Sequence, residues 1–278
     1  MFDAILDALI DSLKLLPFLF LTYLLMEYLE HKTSEKSKNT IKKSGKLGPI
    51  IGSILGAIPQ CGFSVSATNL YAGRVITLGT LIAIYLSTSD EMLPILISSG
   101  TNIGLIIEIL IIKVLIGMII GIAIDLVYRN KKNEHEEHIH DLCEHEHCHC
   151  EEGIVKSSLI HTMQIFTFIL IVSLVLNTAL TLIGEDNISH FISNNKLLAP
   201  VIACLIGLIP NCASSVILTQ VYIDGMIGIG TLIGGLLVNA GLGLMVLFKV
   251  NKNIKENIKI VSILYLVGVV SGIIIEIV

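Results

Sequence analysis

Residues 56–86 read GAIPQCGFSVSATNLYAGRVITLGTLIAIYL, and residues 207–237 read GLIPNCASSVILTQVYIDGMIGIGTLIGGLL. The two stretches align without a gap at an offset of 151 residues, and 14 of the 31 aligned positions are identical. Apolar segments share Leu and Ile by chance, but both stretches also contain Pro-x-Cys-x-x-Ser followed by Thr and Tyr in register. The chain therefore contains two copies of one structural unit.

The composition indicates that this unit lies in a lipid bilayer. Of the 278 residues 53% are hydrophobic and only 15% are charged, and the mean hydropathy is +0.83. Runs of Leu, Ile and Val of about 18 residues recur, which is long enough for a helix to cross the membrane, whereas the alternating pattern of a β-barrel is absent. We predict an all-α, multi-pass protein of a bacterial-type inner membrane. The net charge of −5 gives no indication of nucleic-acid binding.

Each copy has the same predicted order of elements. A spanning helix is followed by two short apolar pieces around a break, and then by two long helices. The breaks are at Pro59-Gln60-Cys61 and at Pro210-Asn211-Cys212, and the long helices are expected near 75–98, 102–128, 226–248 and 259–278. The short pieces cannot cross a membrane alone. They form either one broken crossing helix or a hairpin that enters and leaves on the same face.

The distribution of basic residues favours hairpins. With hairpins, the basic clusters at 32–46, 129–132 and 249–259 lie on one side with Arg74, as expected for the cytoplasmic side. With crossing helices, Arg74 and the cluster at 129–132 would lie opposite the cluster at 32–46. Each copy then has three spanning helices and one broken-helix hairpin, so that six spans and four half-helices make ten helices in all. Because three is an odd number, the second copy is inverted relative to the first.

The predicted domain boundaries follow from this order. We expect an interfacial amphipathic helix at 1–14, the first transmembrane repeat at 15–128, a cytoplasmic acidic linker rich in His and Cys at 129–156, and the second, inverted repeat at 157–278.

Two broken hairpins that converge at mid-membrane would surround a polar pocket, because irregular backbone at that depth must be packed in protein or line a cavity. The chain is interrupted at Pro59 and at Pro210. Free carbonyls of the first half-helix can hold a cation, and free amides of the second can hold an anion. The substrate-binding side chains predicted here are Gln60, Cys61, Ser64, Asn211, Cys212 and Ser215. Whether the two thiols are metal ligands or packing residues stays open.

A second polar segment, Ser87-Thr88-Ser89-Asp90-Glu91, lies within the predicted helix 75–98. An ionised carboxylate within a membrane costs at least about 2.5–3.5 kcal/mol, so this acidic pair indicates a cavity, a proton site or a metal site. Ser87 and Thr88 are further substrate-binding candidates, and Asn239 aligns with Thr88 in the second copy. The alternative is that the segment lies close to the outer surface.

Other ionisable residues in the predicted spans carry weaker predictions. Glu108 is a further candidate for proton coupling, and Lys113 either pairs with it or extends to the membrane surface. His161 and Glu276 lie near the ends of spans and are expected to face solvent.

The linker sequence EHEEHIHDLCEHEHCHCEEG at 134–153 holds six of the nine histidines and three cysteines. Imidazole and thiolate bind zinc-like and other transition metals, but the Cys-x-x-Cys spacing of a folded zinc module is absent. We predict a flexible metal-collecting segment of low specificity, with a plain acidic linker as the alternative. Its predicted ligands are His138, His140, His145, His147, Cys148, His149 and Cys150.

The strings IPQCG and STSDEM, the second-half string IPNCASS and the His/Cys-rich linker resemble the family of ten-helix heavy-metal exporters, also described as manganese transporters or arsenic efflux proteins. The resemblance covers nearly the whole chain and implies export of a heavy-metal ion. An enzyme is not expected, because no nucleophile–His pair or His-Glu-x-x-His helix is present. No cofactor is expected apart from the transported ion and any metal on the linker.

We expect a secondary exporter of a manganese-like divalent ion or a metalloid, in which Asp90 or Glu91 binds the cation or exchanges a proton for it. Oxygen ligands favour manganese, whereas the thiols of Cys61 and Cys212 would favour zinc, cadmium or trivalent arsenic. Two alternatives remain: a transporter of an anion or small organic solute coupled to protons or sodium, and a membrane metal sensor. The expected partners are the lipid bilayer and the ion, and a homodimer is left open.

Overall fold

The computed structural model describes residues 13, 16–17, 19–21, 23–24, 47–59, 61–89, 91–129, 154–183 and 198–277. The predictions for Gln60 and Asp90 lie outside these residues, as do those for the N-terminal helix before residue 13 and for the His/Cys-rich linker. For Cys61 the backbone is described but the side chain is not.

The described residues are helical and contain no strand. The helices of the first half are α1 (Gly48–Gly56), α2 (Cys61–Ala72), α3 (Leu78–Ser87), α4 (Met92–Ser98) and α5 (Ile103–Arg129). Those of the second half are α6 (Ile154–Ile183), α7 (Ala199–Gly207), α8 (Cys212–Ile223), α9 (Ile229–Val238), α10 (Leu242–Val250) and α11 (Ile254–Ile277). Within the described ranges, five stretches are long and apolar enough to cross a membrane: Leu78–Ser98, Ile103–Tyr128, Ser158–Leu176, Ile229–Val250 and Ile254–Ile277. The chain is thus an all-helical, multi-pass membrane protein.

The helices of the two halves follow the same offset as the sequence repeat. α7, α8 and α9 begin and end at the positions equivalent to the ends of α1, α2 and α3, and α11 begins at the position equivalent to the start of α5. Pro49 and Pro200 lie in the first turns of α1 and α7, where the missing amide hydrogen would have no helical partner. The sequence repeat is therefore also a repeat of helices.

The second span of each half is interrupted, where the sequence predicts continuous helices near 75–98 and 226–248. One break separates α3 from α4, and another separates α9 from α10. Thr88 leaves the helical conformation with ψ 130°, and in the second break the side chain of Asn239 accepts a hydrogen bond of 2.9 Å from the amide of Gly241. Ser, Thr and Asn side chains offer the backbone this alternative to a helix. The expectation of uninterrupted helices is wrong for this reason.

Glycines determine how α1, α3 and α5 pack in the first half. A Cβ atom on Gly48 would lie 2.2 Å from a hydroxyl near the start of α3, and one on Gly56 would lie 2.2 Å from the hydroxyl of Ser87 at its end. α1 therefore runs parallel to α3. A Cβ atom on Gly79 would lie 2.1 Å from the carbonyl oxygen of Gly121, so the start of α3 lies against the last third of α5. Helices in membranes approach closely through small residues of this kind.

The second half packs by the same plan. A Cβ atom on Gly207 would lie 2.2 Å from the carbonyl oxygen of Gly235, which holds the end of α7 against α9. A Cβ atom on Gly230 would lie 2.5 Å from the carbonyl oxygen of Gly272 in α11. Gly272 is the equivalent of Gly121 in the sequence repeat, so both halves use glycine at the same helix crossing.

The two halves also interlock, because α2 packs against α10 and α4 packs against α8. Gly243 at the start of α10 contacts the backbone of Ser64 in α2. The hydroxyl groups of Thr68 and Tyr85 each lie 3.1 Å from the carbonyl oxygen of Gly243, and both side chains are buried. In both contacts, the second helix of a hairpin in one half (α2 or α8) packs against the helix that follows the interrupted point of the span in the other half (α10 or α4).

A carboxylate near the end of each long helix binds the start of an interrupted span. Asp125 of α5 accepts hydrogen bonds from the amide of Gly79 at 2.9 Å and from the hydroxyl of Thr77 at 2.6 Å. Glu276, at the equivalent position in α11, accepts one from the amide of Thr231 at 2.7 Å. A carboxylate stabilises the positive end of a helix and satisfies its free amides. Glu276, expected to face solvent, therefore has a structural partner in α9.

We predict that Asp125→Asn lowers the free energy of unfolding by about 0.5–2 kcal/mol, because α3 loses the charge at its start. The midpoint of thermal unfolding in detergent measures this change. Leu126→Ala, at an exposed neighbouring position, is the control and should leave the midpoint unchanged. Equal midpoints for the two variants would contradict the prediction.

We predict that Thr68→Val costs about 1 kcal/mol more than Thr219→Val, its equivalent in the second half. Both hydroxyls lie 2.7 Å from a carbonyl oxygen of their own helix, that of Ser64 or of Ser215. The hydroxyl of Thr68 also contacts that of Tyr85 and lies 3.1 Å from the carbonyl oxygen of Gly243 in the other half. Unfolding midpoints of the two variants, measured side by side, give the difference. Identical losses would mean that the contact between the halves contributes nothing.

Candidate functional site

Among the described residues, four interruptions of helices lie close together inside the protein. Two are the hairpin tips, between α1 and α2 and between α7 and α8, and two are the breaks, between α3 and α4 and between α9 and α10. Gly56, at the first tip, contacts the side chain of Ser87 beside the first break. Ser64, one turn after the first tip, contacts Gly243 just after the second break. The second tip leads into α8, which packs on α4 just after the first break. The segments in which the sequence predicts substrate-binding residues are therefore neighbours in space.

The hydroxyl groups of the first break close the end of α3. Ser87 donates to the carbonyl of Ala83 at 2.9 Å, Thr88 donates to that of Ile84 at 2.8 Å, and Ser89 donates to that of Ser87 at 3.1 Å. All three side chains are buried. Because each hydroxyl hydrogen is given to the backbone, the oxygen atoms keep only acceptor capacity for a ligand. Such a surface suits a cation or a hydrogen-bond donor.

The polar side chains of the second half mainly hold the backbone in place. The side-chain oxygen of Asn211 accepts from the amide of Ala213 at 3.4 Å and caps the start of α8. Ser215 donates to the carbonyl of Cys212 at 2.8 Å, and the oxygen of Asn239 is used by its own turn. All these side chains except that of Ala213 are buried. The amide oxygens of Asn211 and Asn239 thus already accept one hydrogen bond each, whereas the hydroxyl oxygen of Ser215, like those of the first break, keeps acceptor capacity for a ligand.

The candidate acids lie in different environments. Glu91 is half-buried at the end of the first break, and Glu108 is exposed on α5. Within the described residues, no three His, Cys, Asp or Glu side chains are close enough together to hold a metal ion. A metal site at the first break would therefore need Asp90, which the described residues do not include, or carbonyl and hydroxyl oxygens.

Lys113 has a role in this region that the sequence did not predict. Its side chain is 0% exposed, and its ammonium group donates to the carbonyl oxygen of Thr88 and, at 3.1 Å, to that of Leu236. It neither pairs with Glu108 nor reaches the membrane surface, so both expectations are wrong. The signal was the spacing of Lys113, Gly117, Gly121 and Asp125, which recurs every four residues and places them all on the face of α5 that packs on α3.

A polar network ties the end of α2 to the start of α11. Tyr71 donates to a carboxylate oxygen of Glu256, Arg74 lies 3.3 Å from the same oxygen, and Asn251 donates to the other at 3.3 Å. Arg74 has a left-handed backbone with φ 57°, and Gly225 has φ 73° at the equivalent position. Residues other than glycine rarely adopt this conformation, so the first half has a strained arginine in contact with Glu256 where the second half has glycine.

A second buried polar cluster joins α6 to the first span. His161 is 8% exposed, so the expectation that it faces solvent is wrong, and its ring stacks on that of Tyr23 with centroids 5.4 Å apart. The hydroxyl of Tyr23 donates to Asn69 of α2 at 3.1 Å. This cluster packs α6 against the first repeat.

The comparison with protein families agrees with this architecture. The model of the family described as "Putative, 10TM heavy-metal exporter" matches residues 1–186 and 149–278, which together cover the whole chain. No curated protein and no solved structure matches the chain. With interrupted helices paired across two repeats and a family match from end to end, the chain belongs to the heavy-metal exporter family with ten transmembrane helices.

Proposed function

We propose that the chain is a secondary exporter of a manganese-like divalent ion or a metalloid, driven by exchange for protons, and that it works by alternating access between two inverted hairpins. The observation that carries the proposal is the packing of two equivalent hairpin tips and two equivalent breaks against one another. Broken helices that meet in this way form the ion and substrate sites of many secondary transporters. The family match supports a heavy-metal ion as the cargo.

The directions of α2 and α8 support the inverted arrangement. α2 ends where α11 begins, since Tyr71 bonds Glu256, and α11 begins beside the end of α5, since the ammonium of Lys259 lies 4.3 Å from the ring centroid of Tyr128. α8 ends at the opposite level, because a short connection leads from it to the start of α9, where the amide of Thr231 donates to Glu276 at the end of α11. The equivalent helices α2 and α8 therefore point toward opposite ends of α5.

The placement of α1 supports re-entrant hairpins. α1 starts beside the start of α3 and runs parallel to it, and α2 leads back to the start of α3 through a short connection. The end of α5 at Arg129 is rich in basic residues, because Arg74, Lys249, Lys252, Lys255 and Lys259 also lie at this level. The acidic Asp224, which follows the end of α8, lies at the other level. By the positive-inside rule the basic end faces the cytoplasm of a bacterial-type cell. The His/Cys-rich linker, which follows α5, would then lie there and collect metal.

The first break supplies the cation ligands in this proposal. Asp90 and Glu91 add negative charge to the hydroxyl oxygens of Ser87 and Thr88, a set of hard ligands that favours Mn²⁺ over softer ions. The buried thiol of Cys212, with Cys61, would extend the range to zinc, cadmium or trivalent arsenic.

One observation favours a second candidate, a transporter of an anion or of a neutral metalloid acid. Lys113 places a positive charge beside the first break. The starts of α2 and α8, which carry the positive ends of these helices, also lie at the hairpin tips, and helix starts of this kind bind anions. The choice between the two candidates depends on the acids of the first break.

We predict that purified protein in proteoliposomes transports Mn²⁺ in exchange for protons when a proton gradient is imposed. Asp90→Asn and Glu91→Gln should each lower the rate of Mn²⁺ transport by about tenfold or more. Uptake is measured for Mn²⁺, Zn²⁺, Cd²⁺ and arsenite, with and without the gradient. Asp224→Asn removes a carboxylate from an exposed loop residue and should leave every rate unchanged. Arsenite uptake that survives both acid variants, without divalent-ion uptake, would support the second candidate instead.

The same assay addresses the sensor alternative. A chain that lacks residues 134–152 should retain its transport rate at saturating metal, because the linker only collects ions. Loss of transport in this variant with an unchanged unfolding midpoint would indicate that the linker is the working part.

Alternating access predicts that the network around Glu256 opens during transport. Tyr71 is 3% exposed and bonded to Glu256, whereas its equivalent Tyr222 is half-buried, and no hydrogen bond joins Tyr222 to Glu108 in the described part of the chain. In this proposal the contact between Tyr71 and Glu256 is the gate at the basic end, and it has to open for the ion to pass.

We predict that a disulfide between Arg74→Cys and Glu256→Cys stops transport and that a reductant restores it. The two single-cysteine variants, oxidised in the same way, control for the native thiols. Transport that continues in fully cross-linked protein, as quantified by mass spectrometry, would refute this gate.

A further inference from the structure

α5 places opposite charges at the two ends of α3. Asp125 accepts a hydrogen bond from the amide of Gly79 at the start of α3, and the ammonium of Lys113 donates to the carbonyl of Thr88 just after its end. A helix carries partial positive charge at its start and partial negative charge at its end. Both ends of α3 are thus matched by a charge from one face of α5.

The same ammonium also serves the second half. Leu236, whose carbonyl oxygen lies 3.1 Å from the ammonium of Lys113, belongs to the last turn of α9. The last carbonyls of a helix have no partner within the helix. The negative ends of two helices, one from each half, therefore converge on one cation inside the protein.

Such a position is expensive for lysine unless oxygen atoms replace its water. A buried ammonium costs several kcal/mol when it is not compensated, and more within a membrane. The equivalent residue in the second half is Leu264, which is also 0% exposed. Lysine at this place is therefore not a requirement of the repeat, and the first half carries it for a reason of its own.

We propose that the carbonyl oxygens of Thr88 and Leu236 form a monovalent-cation site, and that Lys113 fills it as a tethered ion. In transporters with broken helices, the free carbonyls at the ends of half-helices coordinate a dissolved coupling ion such as Na⁺. Here the side chain supplies the positive charge, so the two interrupted spans are held together without an ion from solution. The proposal does not depend on which ion the protein exports.

Chemical rescue of Lys113→Ala tests the site. Propylammonium is the fragment that this substitution removes, and it can enter the vacated space and bind the same two carbonyls. We expect Lys113→Ala to lower the unfolding midpoint in detergent by roughly 5–15 °C, since it leaves buried carbonyls without a cation. Propylammonium chloride should restore most of this loss in a saturable manner, and neutral propanol should not.

The matched control is Leu264→Ala, which opens a cavity at the equivalent position without the two carbonyls. Propylammonium should leave its midpoint and that of the wild type unchanged. Equal effects on all three proteins, or no effect on Lys113→Ala, would overturn the proposal. If Lys113→Ala does not fold, Lys113→Met, which keeps most of the side-chain volume, decides: a lowered midpoint supports a role for the charge, and a midpoint equal to that of the wild type refutes it.

Discussion

The carbonyl ends of α3 and α9 meet inside the protein, and Lys113 donates to both of them. Helices that stop within a membrane leave polar backbone groups that hydrocarbon cannot satisfy, so each end must find a partner in the protein. The starts of the same helices receive the carboxylates of Asp125 and Glu276, and the end of α3 also receives the hydroxyls of its own last residues. The two broken spans depend on this compensation, and the contact of Lys113 with both of them links the two halves.

Much of the fold could be predicted from the sequence, because the constant offset between the two copies fixes equivalent helices and Pro-x-Cys marks both tips. The two breaks within the second spans could not. Thr88 and Asn239 each lie within a long segment whose length and mean hydropathy predict one continuous helix, and the hydrogen bonds of their side chains are not visible in composition. The equivalence of Asp125 and Glu276 in the two copies was also not apparent, since the residue types differ. Lys113 was misread because Glu108 is the nearest acid in sequence, although the two side chains take different environments.

The two halves share their framework but not their chemistry. Where the first half has Arg74, Tyr85 and Lys113, the second has Gly225, Leu236 and Leu264. Each of these first-half residues contacts the second half: Arg74 contacts Glu256, Tyr85 contacts Gly243, and Lys113 contacts Leu236. The repeat thus supplies the architecture, whereas polar contacts and the acidic pair of the first break come from one copy. An asymmetry of this kind is expected if the first half carries the charges that govern ion movement and the second half mainly provides the surface against which the first half packs.

The most direct measurement of the central claim is a cryo-EM map of the full chain in lipid nanodiscs, at a resolution that shows side chains. The account predicts a break after Ser87 and a second after Val238, with the density of Lys113 ending between the carbonyls of Thr88 and Leu236. A continuous helix through residues 78–98, or a Lys113 side chain directed toward the lipid, would contradict it.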